Sequence, residues 1–167
     1  MTRKHIYRGL FTVAIFISTA LPHVAQAAEQ NAPPKAIVGS WIETITVAGP
    51  GAPPPFKSVG VYNADGNLVF SDQGGVTLVP PQAFSATVGS WTYVRERTFA
   101  WTAIALMSDL SGNHVGTLKV RGESKVDQSG NSYTSRFRAE IFDPNGQLIF
   151  AADGTNEGRR IAVEPLP

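Results

Sequence analysis

The chain has 167 residues, 14 of them basic and 13 acidic, with three histidines and no cysteine. That length accommodates one domain and not comfortably two. The missing cysteine excludes a disulfide frame, a thiol nucleophile, thiolate metal sites and a thioether lipid anchor, so a packed core must hold the fold.

Residues 1–27 have the three parts of an export signal. Arg3, Lys4 and Arg8 form a basic n-region, and Leu10 to Leu21 form an apolar h-region. This run is shorter than the roughly 20 apolar residues that span a bilayer, so cleavage leaves no stable membrane anchor. Ala25-Gln26-Ala27 supplies the small residues expected before a cut at Ala28. The expected location is therefore periplasmic or secreted. The segment carries three basic residues and no acidic one, so the remainder has 11 basic against 13 acidic residues, a net charge of −2. The two signs interleave along the remainder, and no basic patch points to a nucleic-acid partner.

Residues 28–36 read as an exposed, Pro-containing arm, and residues 37–167 as a single domain. No run of helical period appears after Ile37. Short β segments alternate with turns, giving expected strands at 37–47, 56–63, 67–71, 87–95, 98–107, 114–126, 132–142, 147–153 and 159–164. The turns share one chemistry. Asn63 to Asn67, Asp109 to Asn113, Asp127 to Asn131 and Asp143 to Gln147 each open with Asp or Asn and carry Gly near the end. The opening side chain bonds its own backbone, and the glycine takes the positive φ that closes a hairpin. These loops lack the distal Glu and alternating oxygens of a calcium loop. Successive hairpins predict an all-β, antiparallel up-and-down meander. Eight or nine such strands are expected to close into a barrel, because an open sheet would leave two unpaired edges.

Two connections are longer. Residues 48–55 form a stiff Pro/Gly loop. Residues 72–86 hold an apolar cluster of Val76, Leu78, Val79 and Phe84, suited either to a lid or rim over a pocket or to a plain cap on one barrel end. Strand parity then sorts the interior. Residues Val115, Thr117, Lys119, Arg121, Glu123 and Lys125 share a face that must be wet. On 132–142, Tyr133, Ser135, Phe137, Ala139 and Ile141 face inward. An interior mixing large aromatics with Gly, Ser and Ala fits a cavity, with Gly60, Ala103 and Ser135 leaving volume; ordinary interdigitation in a filled barrel is the alternative. The expected cavity walls are Tyr62, Trp91, Tyr93, Trp101, Tyr133 and Phe137.

Little in the sequence speaks for chemistry. His114 is the one histidine beyond residue 27, it sits at a turn, and no metal-ligand spacing is visible. No cofactor motif is present. Glu43 shares a face with Trp41, Ile45 and Val47, so parity places it inside if Trp41 is inside. A buried carboxyl there could serve as acid or base, or sit at the barrel mouth, or pair with an internal Arg.

Gly39-Ser40-Trp41, at the start of the first strand of the domain, resembles the Gly-X-Trp of the lipocalin and calycin barrels. Gly158-Arg159-Arg160-Ile161 stands where those barrels carry a closing-strand Arg over the Trp. The resemblance implies that Trp41 pairs with Arg159 or Arg160 to close one end. The Thr-Asp-Tyr motif, the C-terminal helix and the disulfides of lipocalins are absent. The wider pattern, with a second Gly89-Ser90-Trp91, is similar to exported bacterial proteins of unknown function and covers most of the domain. Three functions follow as expectations: a barrel binding an apolar or aromatic small molecule, a cofactor-free cyclase or isomerase using the same cavity, or a structural domain with a filled barrel. N-terminal sequencing of the exported protein should return Ala28 as the first residue; a product retaining Met1 to Leu21 would remove the signal reading.

Overall fold

The computed structural model describes residues 35–73 and 81–166. The expected export signal, residues 28–34 of the arm, and Val76, Leu78 and Val79 of the long loop lie outside the described residues. Among the described residues there are nine strands and no helix: β1 (Gly39–Val47), β2 (Phe56–Tyr62), β3 (Asn67–Asp72), β4 (Ala83–Phe84), β5 (Thr87–Arg95), β6 (Thr98–Ser108), β7 (His114–Val126), β8 (Ser132–Phe142) and β9 (Leu148–Arg160). Eight of them pair antiparallel in the order β1-β2-β3-β5-β6-β7-β8-β9, and β9 pairs back onto β1. The result is a closed up-and-down barrel. β4 is an addition: Phe84 lies opposite Met107 and extends the sheet on β6 beyond the end of β5.

The hairpins form as the turn chemistry dictates. Gly66, Gly112, Gly130 and Gly146 all have positive φ, between 77° and 92°. Asp109 Oδ1 accepts from the Ser111 and Asn113 amides at 2.9 Å, and Asp143 Oδ1 accepts from Asn145 at 2.9 Å and Gln147 at 2.8 Å. The carboxylates thus fill the donors that each turn leaves open.

Three strand expectations need correction. The separate strands at 147–153 and 159–164 are one 13-residue strand, β9, and residues 161–166 have no regular structure. The polar, glycine-containing run Gly154-Thr155-Asn156-Glu157-Gly158 reads as a break, yet it keeps full register with both β8 and β1. The first strand starts at Gly39 rather than residue 37. Val115 also departs from its expected wet face: the β6–β7 register shifts between Met107 and Ser108, which turns Val115 inward.

The ladder tolerates those glycines because each faces an aromatic ring. Phe70 is directly opposite Gly60, Phe137 opposite Gly154, Tyr133 opposite Gly158 and Trp101 opposite Gly122. A methyl added at Gly60, Gly154 or Gly158 would stand within 2.4 Å of the facing ring, and at Gly122 within 2.7 Å of Trp101. The rings therefore lie flat over glycine backbone, where no side chain competes. Gly60 does not leave free volume, contrary to expectation, because Phe70 occupies it.

One barrel end is solid. Trp41 and Ile37 are fully buried and pack with Tyr62, Leu68, Trp91, Phe99, Val126 and Tyr133. The rings meet edge to face: Trp41 and Tyr133 at 4.8 Å between centroids, Trp91 and Phe99 at 5.5 Å, Tyr62 and Phe70 at 5.2 Å. This is the geometry the aromatic quadrupole favours. Arg160 lies over the Trp41 indole, 4.3 Å from guanidinium carbon to ring centroid. Its Nε donates to the Gly130 carbonyl at 2.7 Å, and its two Nη atoms donate to Val38 at 2.7 Å and Ala36 at 2.8 Å. Ala36 is thus held against the barrel rather than belonging to a free arm. Gly39, with φ of 135°, is required here, since a Cβ would overlap Arg160 Nη1. Arg159 takes no part: it pairs in register with Ile42 on the outer face.

Truncating Trp41 to alanine should lower stability by about 3–5 kcal/mol, the usual result for a buried large aromatic. Chemical denaturation of the two proteins side by side measures this. An unchanged midpoint would show that the closed end contributes little.

Candidate functional site

The other barrel end is hollow. A cavity of about 460 Å³ runs from mid-barrel to the ends of β1, β3, β6 and β8. Its walls are apolar: Ile45, Val47, Phe56, Phe84, Met107, Leu118, Val120, Phe137, Ala139, Ile141 and Phe150 contribute. The Pro/Gly loop enters at the rim through Gly51, Ala52 and Pro53. Phe84 of the long 72–86 connection is also there, carried by β4. The size lies within the roughly 300–1,000 Å³ typical of small-molecule sites.

Three of the six expected wall residues line this space: Tyr62, Trp101 and Phe137. Trp91, Tyr93 and Tyr133 do not. Trp91 and Tyr93 pack on Phe99, and Tyr133 packs on Trp41, all at the closed end. Parity assigns a side chain to the interior but not to a level along the barrel axis, and these three belong to the solid level. Of the small residues, Ala103 borders the cavity, whereas Ser135 is sealed by a 2.6 Å hydrogen bond to Ser124.

Between solid and hollow halves lies a band of polar side chains. Glu43 of β1 faces Ser58 of β2, which faces Asp72 of β3. On the other flank of β1, Asn156 of β9 faces Ser135 of β8, which faces Ser124 of β7. Trp101 Nε1 donates to Ser124 Oγ at 3.0 Å and completes the band. Glu43, Ser58, Asp72 and Asn156 all border the cavity. Glu43 is 4 % exposed and Asn156 5 %. Asn156 Nδ2 donates to Glu43 Oε2 at 2.7 Å, but Glu43 Oε1 and Asn156 Oδ1 have no hydrogen-bond partner.

The electrostatics follow from burial. Desolvation pushes the Glu43 carboxyl up to about 8; the Asn156 hydrogen bond opposes the shift and the charge of Asp72 adds to it. Burial also raises Asp72, against a hydrogen bond from Ser58. The Tyr62 hydroxyl moves well above the ordinary tyrosine range, through burial and then the nearby Glu43 charge, with Ser124 opposing. Glu43 thus holds its proton at neutral pH.

Asp72, Ser58 and Asn156 were not among the sequence-derived candidates. Asp72 was within reach of parity, since it shares a face with Leu68 and Phe70, but it stands at the strand end next to the long loop. Asn156 was hidden by the apparent break in β9. His114 is exposed, and no group of metal-ligating side chains exists among the described residues. No protein-family model, curated protein or solved structure matches the chain.

Because Glu43 is protonated more readily in the fold than in the unfolded chain, whose reference value is 4.5, stability should fall as pH rises from about 5 through about 8 and then level off. Glu43→Gln keeps the shape and removes the ionisation. Its melting temperature should exceed that of the parent at pH 9 and match it near pH 5. Equal pH profiles for the two proteins would show that Glu43 ionises as readily in the fold as in the unfolded chain. Asp72 contributes a slope of the same sign in both.

Proposed function

We propose that this is an exported, lipocalin-like barrel that binds a small apolar or aromatic molecule in its open half. The observation that carries the reading is the 460 Å³ apolar cavity with a polar floor. A barrel of this strand number can fill its interior with side chains or hold one small ligand. Here the filled level is confined to one end. Arg160 over Trp41, next to Gly39, supports the lipocalin-like part, since those are the positions on which that resemblance rests. The export signal supports a site of action in the periplasm or outside the cell. No cofactor, metal or nucleic acid enters the proposal.

Glu43 favours a second reading, a cofactor-free cyclase or isomerase. A buried carboxyl that keeps its proton at neutral pH can deliver it to a bound substrate and take it back. Recovery of the ligand unchanged after long incubation selects the binding reading. Conversion that disappears in Glu43→Gln while binding persists selects the enzyme.

Binding itself is testable through Trp101, which borders the cavity while Trp41 and Trp91 do not. An apolar probe such as a fluorene should shift the tryptophan emission on titration. Ala139 faces the cavity from the middle of β8, between Val120 and Ala152. Ala139→Phe fills the space and should weaken the probe by about tenfold or more, with the melting temperature held or raised. Unaltered affinity in that variant would place the probe elsewhere.

A further inference from the structure

The chemistry of the cavity floor narrows the ligand further. Among the described residues bordering the cavity there are two carboxyl groups, Glu43 and Asp72, and no lysine, arginine or histidine. Lys57 and Arg160 are committed elsewhere. Lys57 Nζ reaches Thr44 Oγ1 on the outer face at 2.6 Å, and Arg160 is spent on three carbonyls at the closed end.

Four buried side-chain oxygens lack partners among the described residues; Tyr133 Oη is at the closed end and Gln82 Oε1 is on the long connection, while Glu43 Oε1 and Asn156 Oδ1 belong to side chains already joined to each other through Asn156 Nδ2. Leaving buried polar atoms unsatisfied is unfavourable by roughly 1–3 kcal/mol each, so their persistence calls for a group that completes them. The amide oxygen can only accept. The missing group must therefore donate.

A carboxylate or phosphate head offers no donor and would meet Asp72 as a like charge. A hydroxyl offers one donor and no charge. A protonated amine offers several donors and a positive charge; on binding it favours loss of the Glu43 proton to solvent, so that the ammonium meets a carboxylate there with Asp72 beside it. Placing it there turns a buried acid without a counter-ion into a paired one, the arrangement in which a buried charge is tolerated. The walls above it are mainly apolar, with Ile45, Phe84, Met107, Phe137 and Ile141 suited to an apolar body.

We propose that the cavity is a site for a lipophilic amine, with the ammonium head on Glu43 and Asn156 and the apolar body directed to the mouth. This rests on the reading of the cavity as a ligand site. Asp72 and Tyr62 are the other titratable groups facing Glu43; the ammonium offsets the charge of Asp72 and of Glu43 once that carboxyl ionises, while the Tyr62 hydroxyl stays neutral.

The test uses three ligands with one chain and different heads: n-decylamine, decan-1-ol and decanoate, below their micellar concentrations. Each competes at neutral pH against the apolar probe on the full domain. The amine should bind about tenfold or more tighter than the alcohol, as expected for a charge-assisted hydrogen bond, and decanoate weakest. Glu43→Gln should bring the amine level with the alcohol while leaving alcohol binding intact. Asp72→Asn, which alters a partly exposed position and serves if the first variant does not fold, should reduce the amine preference and leave the alcohol unchanged. Decanoate binding as tightly as the amine overturns the inference and leaves the binding reading standing, as does an amine preference that survives both substitutions. If none of the three ligands displaces the probe, or the probe itself does not bind, the inference falls together with the binding reading.

Discussion

A barrel built as a meander has one seam, where the last strand must find the first, and here a single guanidinium fixes that seam. Arg160 and Trp41 are register partners across β9 and β1. The same Arg side chain reaches back to Ala36 and Val38 before β1 and across to Gly130 in the β7–β8 turn. Three pieces of chain far apart in sequence are thereby tied at one point. A lysine could carry the charge but not the fork of donors or the flat stacking surface. Because Ile37 and Trp41 are locked under this cap, with Trp41 Nε1 donating to the Ile37 carbonyl at 2.8 Å, the closed end has no route for solvent. Everything that differs between the two halves of the barrel follows from which end is plugged.

The polar band at mid-barrel is the price of joining a solid half to a hollow one. A purely stabilising interior would carry leucine or valine at the levels of Glu43, Ser58, Ser124, Ser135 and Asn156. Four of these side chains find partners within the band: Ser124 with Ser135 and with Trp101, and Asn156 with Glu43. Glu43 is different. Its burial acts against ionisation, and one of its oxygens has nothing to bond. Strongly perturbed groups in clefts concentrate at functional sites. The Glu43 level is also where the cavity begins, so this incompletely bonded carboxyl is the group a ligand would reach last.

Much of this architecture was legible in the residues themselves. The Asp/Asn-to-Gly turns and the two-residue periodicity define seven of the eight barrel strands, because turn chemistry and parity are local. The inward set on β8 was readable for the same reason. What failed was non-local. β9 looks interrupted at Gly154 and Gly158 because a glycine in a strand normally weakens it; only the partner strand reveals Phe137 and Tyr133 lying over those glycines. The same pairing misleads at Gly60, which looks like empty volume until Phe70 is placed on it. Trp91, Tyr93 and Tyr133 face inward as parity requires, but their height along the axis depends on strand stagger, which no single strand encodes. Val115 turns inward through a bulge that has no local signature.

The aromatic–glycine pairs also separate structural from adjustable positions along the barrel. Phe70, Trp101, Tyr133 and Phe137 are each fitted to a glycine on a neighbouring strand, so changing either member disturbs the ladder. Trp101 and Phe137 have a double role, since they border the cavity while covering Gly122 and Gly154. The wall positions above them, among them Ile45, Ala139 and Ile141, border the cavity and are not fitted to a glycine on a neighbouring strand. Cavity shape can therefore vary there without disturbing the seam, the aromatic plug or the fitted rings. Depth and head-group chemistry are set instead by Glu43 and Asn156 on the two strands that form the seam, β1 and β9. The register that Arg160 imposes on those strands brings the two side chains to their 2.7 Å contact. The closure of the barrel and the chemistry of its floor are thus consequences of one strand pairing.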